Sequence, residues 1–133
     1  MDEQFNELHR IMEKGDVIGL RHALEAGLDP NLRNRFGWTL LMIAALLKNT
    51  ALLRLLLQFG ADVNAMNDFG GSALDCAAGK GSHSAVAVLL RAGASVRRAW
   101  PQWPVAMSNQ RVFDLLAEAE RNEPPADGVE ESS

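Results

Sequence analysis

The chain holds a single cysteine, Cys76, among its 133 residues. An internal disulfide is excluded, and a reducing compartment is expected, the cytoplasm or, in a eukaryote, the nucleus. Basic excess is missing as well. The formal net charge is −4, and Glu123, Asp127, Glu130 and Glu131 fall in a final stretch without Lys or Arg. Without that stretch the balance is neutral, so nucleic acid is not expected as a partner. Nor does any apolar run approach the roughly 18 residues needed to cross a bilayer. The longest, Leu40 to Leu47, is broken by Lys48-Asn49, and no membrane role is expected. The N-terminus is polar and acidic at Asp2, Glu3 and Gln4, so no secretory leader is expected either.

Signs of chemistry are equally sparse. The histidines, His9, His22 and His83, form no zinc-ligand spacing with Cys76. Gly79-Lys80-Gly81-Ser82 lacks the leading glycine spacing of a phosphate-binding loop and follows a helical pattern rather than a strand. Cys76 has no His beside it in sequence and is expected to be a buried, inert thiol. A hydrolase built on it would need that thiol exposed. No enzyme activity, cofactor or metal is expected.

What the chain does have is self-similarity. Hydrophobic residues make up 47% of it, enough for one compact core. Phe36 to Asp68, moved forward by about 33 residues, lands on a near-copy of itself. Phe36 falls on Phe69, Gly37 on Gly70, Leu41 on Leu74, Ala44-Ala45 on Ala77-Ala78, Leu56-Leu57 on Leu89-Leu90 and Gly60-Ala61 on Gly93-Ala94. Moved backward, Leu57 meets Leu24, Gly60 meets Gly27 and Asn64 meets Asn31. The repeats fall at about 3–35, 36–68, 69–101 and 102–121, with an acidic tail over 122–133 expected to be disordered.

Each repeat reads as two helices and a turn. Phe5, Leu8, Ile11 and Met12 share one helical face, and Val17, Leu20 and Leu24 share another. Helices are expected at about Thr39 to Leu47, with Thr39 as N-cap, and at Ala51 to Phe59. The second of these is apolar nearly all round, as suits an element buried on several sides. Ser72 is expected to cap a short helix, Ala73 to Ala78, followed by His83 to Ala92. After Trp100-Pro101-Gln102-Trp103-Pro104 breaks the register, an amphipathic helix at about Asn109 to Arg121 closes a shortened last repeat. The first and last repeats read as end caps.

The period, the helix–corner–helix unit, Gly60-Ala61-Asp62-Val63-Asn64 and Gly37-x-Thr39-x-Leu41-x-x-Ala44-Ala45 resemble the ankyrin repeat. The family's T-P-L-H signature here reads Thr39-Leu40-Leu41-Met42 and Ser72-Ala73-Leu74-Asp75, and Asn6-Glu7-Leu8-His9 keeps its last two letters. The resemblance implies an all-α solenoid of about four repeats, with short β-hairpin or loop fingers and degenerate caps. It implies a non-catalytic scaffold that grips a partner protein with its fingers and palm. It also gives His9 a helix-bonding role.

Carried over residue by residue, the resemblance places partner contacts at Arg33, Arg35, Phe36, Trp38, Leu46, Leu47, Met66, Asp68, Phe69, Lys80, Trp100 and Trp103. An exposed row of aromatics is a common mark of an interaction surface; the alternative is that Phe36 and Phe69 pack between the fingers and Trp103 plugs the end of the core. Arg33, Arg35, Arg97 and Arg98 read as ordinary solvated turn charge, or alternatively as two basic knots for acidic groups on the partner. The expected role is that of a small monomeric inhibitor or adaptor, resembling kinase inhibitors or toxin antidotes. The alternative is an assembly subunit that self-associates through the aromatic surface.

Overall fold

The computed structural model describes residues 2–96 and 109–123. Seven helices form there: α1 (Glu3–Glu13), α2 (Val17–Glu25), α3 (Leu40–Leu46), α4 (Thr50–Gln58), α5 (Ala73–Gly79), α6 (His83–Arg91) and α7 (Gln110–Asn122). The first helices of successive repeats, α1, α3 and α5, pack in one row. The second helices α2, α4 and α6 pack in another, and α7 continues it against α6. Between the rows runs one leucine-rich core. Leu20, Leu52, Leu53, Leu56, Leu74, Leu89 and Leu116 are almost wholly shielded from water.

The helix ends repeat as faithfully as the core. Asp16, Asn49, Ser82 and Asn109 each cap a second-row helix by accepting a backbone N–H from its first turn. Thr39 and Ser72 do the same for α3 and α5. Asn109 starts α7 about six residues earlier than the repeat spacing from Ser82 would place it. Asn122 ends that helix and Glu123 follows as its C-cap. Residues 124–133 lie outside the described part.

First-row helices end in Schellman turns. Gly15, Lys48 and Gly81 donate to Met12, Ala45 and Ala78, and Asp16, Asn49 and Ser82 donate to Ile11, Ala44 and Ala77. The turn needs a left-handed residue, with φ of +71° at Gly15, +58° at Lys48 and +66° at Gly81. Among the described residues Lys48 is the one non-glycine with positive φ. Such a conformation costs a side-chain-bearing residue about 1–2 kcal/mol. Lys48→Gly is therefore expected to raise stability in urea by about 1 kcal/mol. An unchanged or lower midpoint would contradict the strain argument.

The fingers are loops rather than hairpins. No strand forms among the described residues, where a single isolated antiparallel bridge pairs Arg33 with Thr39. Asparagine side chains shape them instead. Asn34 Oδ1 accepts from the N–H of Phe36 at 2.9 Å and of Trp38 at 3.0 Å. Asn67 Oδ1 accepts identically from Phe69 at 2.9 Å and Gly71 at 3.0 Å. These are Asx-type turns that replace ladder bonds with local ones. The two fingers touch where Asp68 N–H donates to the Phe36 carbonyl at 2.9 Å. Gly37 sits in that contact with φ of +82°, and a Cβ there would come 2.9 Å from Asp68 Oδ1 and 3.1 Å from Asn67 Cα.

A second asparagine ladder joins the turns at the other end of each repeat. Asn31 accepts from Asp62 N–H at 2.7 Å and donates to the Gly60 carbonyl at 3.2 Å. Asn64 accepts from Ser95 N–H at 2.8 Å and donates to Gly93 at 3.1 Å. The ladder then changes residue type. Glu123 accepts from Val96 N–H at 2.8 Å and from Ser95 Oγ at 2.6 Å, so the cap of α7 ties the last described turn to the stack.

Candidate functional site

Phe36, Met66 and Phe69 are exposed at 47%, 37% and 74%, a high value for large apolar side chains. The Phe36 and Phe69 rings lie 6.4 Å apart with a 37° tilt, one from each finger. The Arg35 guanidinium carbon sits 5.2 Å from the Phe36 ring centre in cation–π geometry. Arg35 also meets Asp2, with its Nε 3.7 Å from the carboxylate and its N–H donating to the other oxygen at 3.2 Å. Arg33 donates to the Met66 carbonyl across the fingers. Both arginines thus hold the patch together, in addition to whatever they present outward.

Trp38 is half-buried and packs against the core. With Leu46, Asn67, Phe69, Gly71, Asp75, Cys76, Gly79 and Lys80 it lines an open cavity of ≈ 390 Å³, within the range of ligand-sized clefts. Of the carried-over contact positions, the cavity brings together Trp38, Leu46, Phe69 and Lys80. Arg33, Arg35, Phe36, Met66 and Asp68 lie outside it on the exposed fingers, and Leu47 is half-buried beside the core. Trp100 and Trp103, and with them Arg97 and Arg98, lie outside the described residues. Asn67, between Met66 and Asp68, is buried with its side chain spent on its own loop.

The cavity's polar floor was not foreseen. Asp75 is only 4% exposed. Its Oδ2 accepts from Ser72 N–H at 2.8 Å and from Ser72 Oγ at 3.1 Å, while Ser72 Oγ accepts from Asp75 N–H at 3.3 Å. This is a capping box closed by aspartate. Its Oδ1 is buried without a hydrogen-bond partner. Burial pushes the Asp75 carboxyl above its ordinary range, and the two Ser72 hydrogen bonds oppose this. A raised carboxyl contributes stability that is full below its unfolded value and is lost as pH rises through its folded value. Asp75→Asn is therefore expected to gain on the wild type as pH rises from below 3.8 to neutrality, read as paired thermal melts. Parallel melting curves would contradict the burial argument.

Cys76 beside it is half-buried, and burial, with the Asp75 charge as a second cause, pushes its thiol up to about 12. The thiolate fraction at neutral pH is then roughly a thousandfold below that of an ordinary thiol. Labelling by iodoacetamide is expected to be slow in the native chain and to speed up sharply in urea. Fast native labelling would contradict the assignment. His9, given a helix-bonding role by its place in the signature, is half-buried and instead meets Glu13 on its own helix, with Nε2 3.5 Å from the carboxylate. The first-row helix there starts at Glu3 and runs through the cap position, so no helix N-terminus is left for it to bind. Among the described residues no cluster of His, Cys, Asp and Glu could hold a metal ion. None of the helices among them is long and apolar enough to cross a membrane.

Stacked two-helix units, Schellman corners at one spacing and projecting loops together describe a known architecture, and the family model for ankyrin repeats (3 copies) matches residues 8–99. The chain belongs to the ankyrin repeat family. No match was found among curated proteins. Ankyrin repeats are in general protein–protein interaction modules and are typically non-catalytic. In this ankyrin chain the Thr-Pro-Leu-His signature has lost its proline and histidine in both central repeats, and the capping box of Asp75 occupies the signature's last position in the third.

Proposed function

We propose that this ankyrin chain is a non-catalytic inhibitor or adaptor that binds one partner protein across its fingers and palm. The observation that carries the reading is the exposed Phe36–Phe69 ring pair continuing, through Phe69, into the cavity at Trp38, with Met66 exposed on the same finger as Phe69. Contiguous apolar surface of this kind is costly to leave in water and usually marks a contact site. Arg33, Arg35, Leu46, Leu47, Asp68 and Lys80 complete the face, with Trp100 and Trp103 assigned to it by the family resemblance. A small module acts on its partner by occupying surface, which suits inhibition or tethering.

Affinity capture from the native host tests this. The protein retained by the wild type is expected to survive Ile18→Ala, an exposed change on α2, and to be lost with Phe69→Ala. Retention by Phe69→Ala and loss with Ile18→Ala would reject the face.

A further inference from the structure

The cavity exists because two side chains drop out between neighbouring repeats. At the repeat offset, Trp38 corresponds to Gly71 and Leu46 to Gly79. All four residues line the cavity. The second repeat supplies an indole and an isobutyl wall, and the third supplies empty space opposite. Met42 of the second repeat, in turn, is replaced by Asp75 in the third. An apolar recess has therefore acquired one carboxylate at its border.

That carboxylate is incompletely matched. Ser72 engages Oδ2 twice, and Oδ1 has nothing. Among the described residues no basic side chain forms an ion pair with Asp75, and Lys80, at the cavity wall, stays exposed. The carboxylate is already almost wholly shielded from water with Oδ1 unpartnered, and a buried charge of that kind stays unfavourable until a counter-charge reaches it. The group that suits these surroundings is planar, cationic and rich in donors, since it can stack on an indole and donate to a carboxylate together.

We infer that the cavity between the second and third repeats seats an arginine side chain of the partner protein, its guanidinium against Trp38 and donating to Asp75. This rests on the palm being the binding face, and it specifies what the palm reads. Phe69 shields the site on the finger side, and the raised Asp75 carboxyl gains its counter-charge on binding.

The test uses the full chain, labelled with nitrogen-15, and two small probes, N-acetyl-arginine methylamide and its uncharged isostere N-acetyl-citrulline methylamide. The Trp38 indole signal, assigned with Trp38→Phe, is followed with the Phe69 and Lys80 amides. Arginine is expected to shift them saturably, with citrulline roughly tenfold weaker. Asp75→Asn should erase that preference. Gly79→Leu, which restores the side chain present at Leu46, should abolish both responses in a chain that still melts cooperatively. Equal response to the two probes in the wild type, which requires no variant to fold, overturns the proposal. So does an arginine preference that survives Asp75→Asn, or a dimer in sedimentation that Asp75→Asn dissolves, which would make a second copy the occupant. Loss of the arginine preference in a chain whose partner capture still depends on Phe69 overturns the occupant and leaves the binding face standing.

Discussion

Leu56→Ala is expected to remove about 2–5 kcal/mol of unfolding free energy, a large part of the 5–15 kcal/mol typical of a domain. Leu56 is fully buried on α4. That helix packs on α3 within its repeat and on α2 and α6 on either side. In a solenoid each unit is held by itself and its neighbours. A cavity in the middle of the second row therefore weakens two interfaces as well as one repeat. Urea unfolding followed by circular dichroism measures it. A loss under 1 kcal/mol would show that the leucine row is not what holds the stack, and Leu24→Ala, in the first repeat, should cost less than Leu56→Ala.

The second large effect is on recognition. Trp38→Ala is expected to weaken the captured partner by about 2 kcal/mol or more, roughly thirtyfold. Trp38 both packs against the core and lines the cavity, the arrangement that makes a rigid anchor. Because the side chain packs against the core, Trp38→Ala also costs stability, so Phe69→Ala is the cleaner partner experiment. At 74% exposure Phe69 contributes little to the core, and a loss of affinity with an unchanged melt is a loss of contact. Unchanged affinity in both variants, measured by titration calorimetry, would remove the palm from the account.

The stack was legible in the sequence because its determinants are local and repeat. Leu56 and Leu89 lie one period apart, as do the caps Thr39 and Ser72, and each speaks for a turn or two of helix around it. Several features of the site were not legible, for physical reasons. Asn34 and Asn67 look like ordinary loop residues until the N–H groups they gather are known. Glu123 reads as part of an acidic tail, since its partners at Ser95 and Val96 are distant in sequence. The cavity is made by glycine, and the missing side chains at Gly71 and Gly79 become informative only when Trp38 and Leu46 are placed opposite them. Lys48 occupies a slot that Gly15 and Gly81 fill at the same spacing, so the comparison of periods held that clue in plain view.

Hydrogen exchange of the full chain, alone and bound to the captured partner, puts the palm-and-finger reading to the most direct trial. Slowed exchange is expected at the amides of 33–38 and 66–71 and around Lys80, with α2, α4 and α6 unchanged along their outward faces. Protection concentrated on those second-row helices, with both fingers exchanging as fast as in the isolated chain, would contradict it.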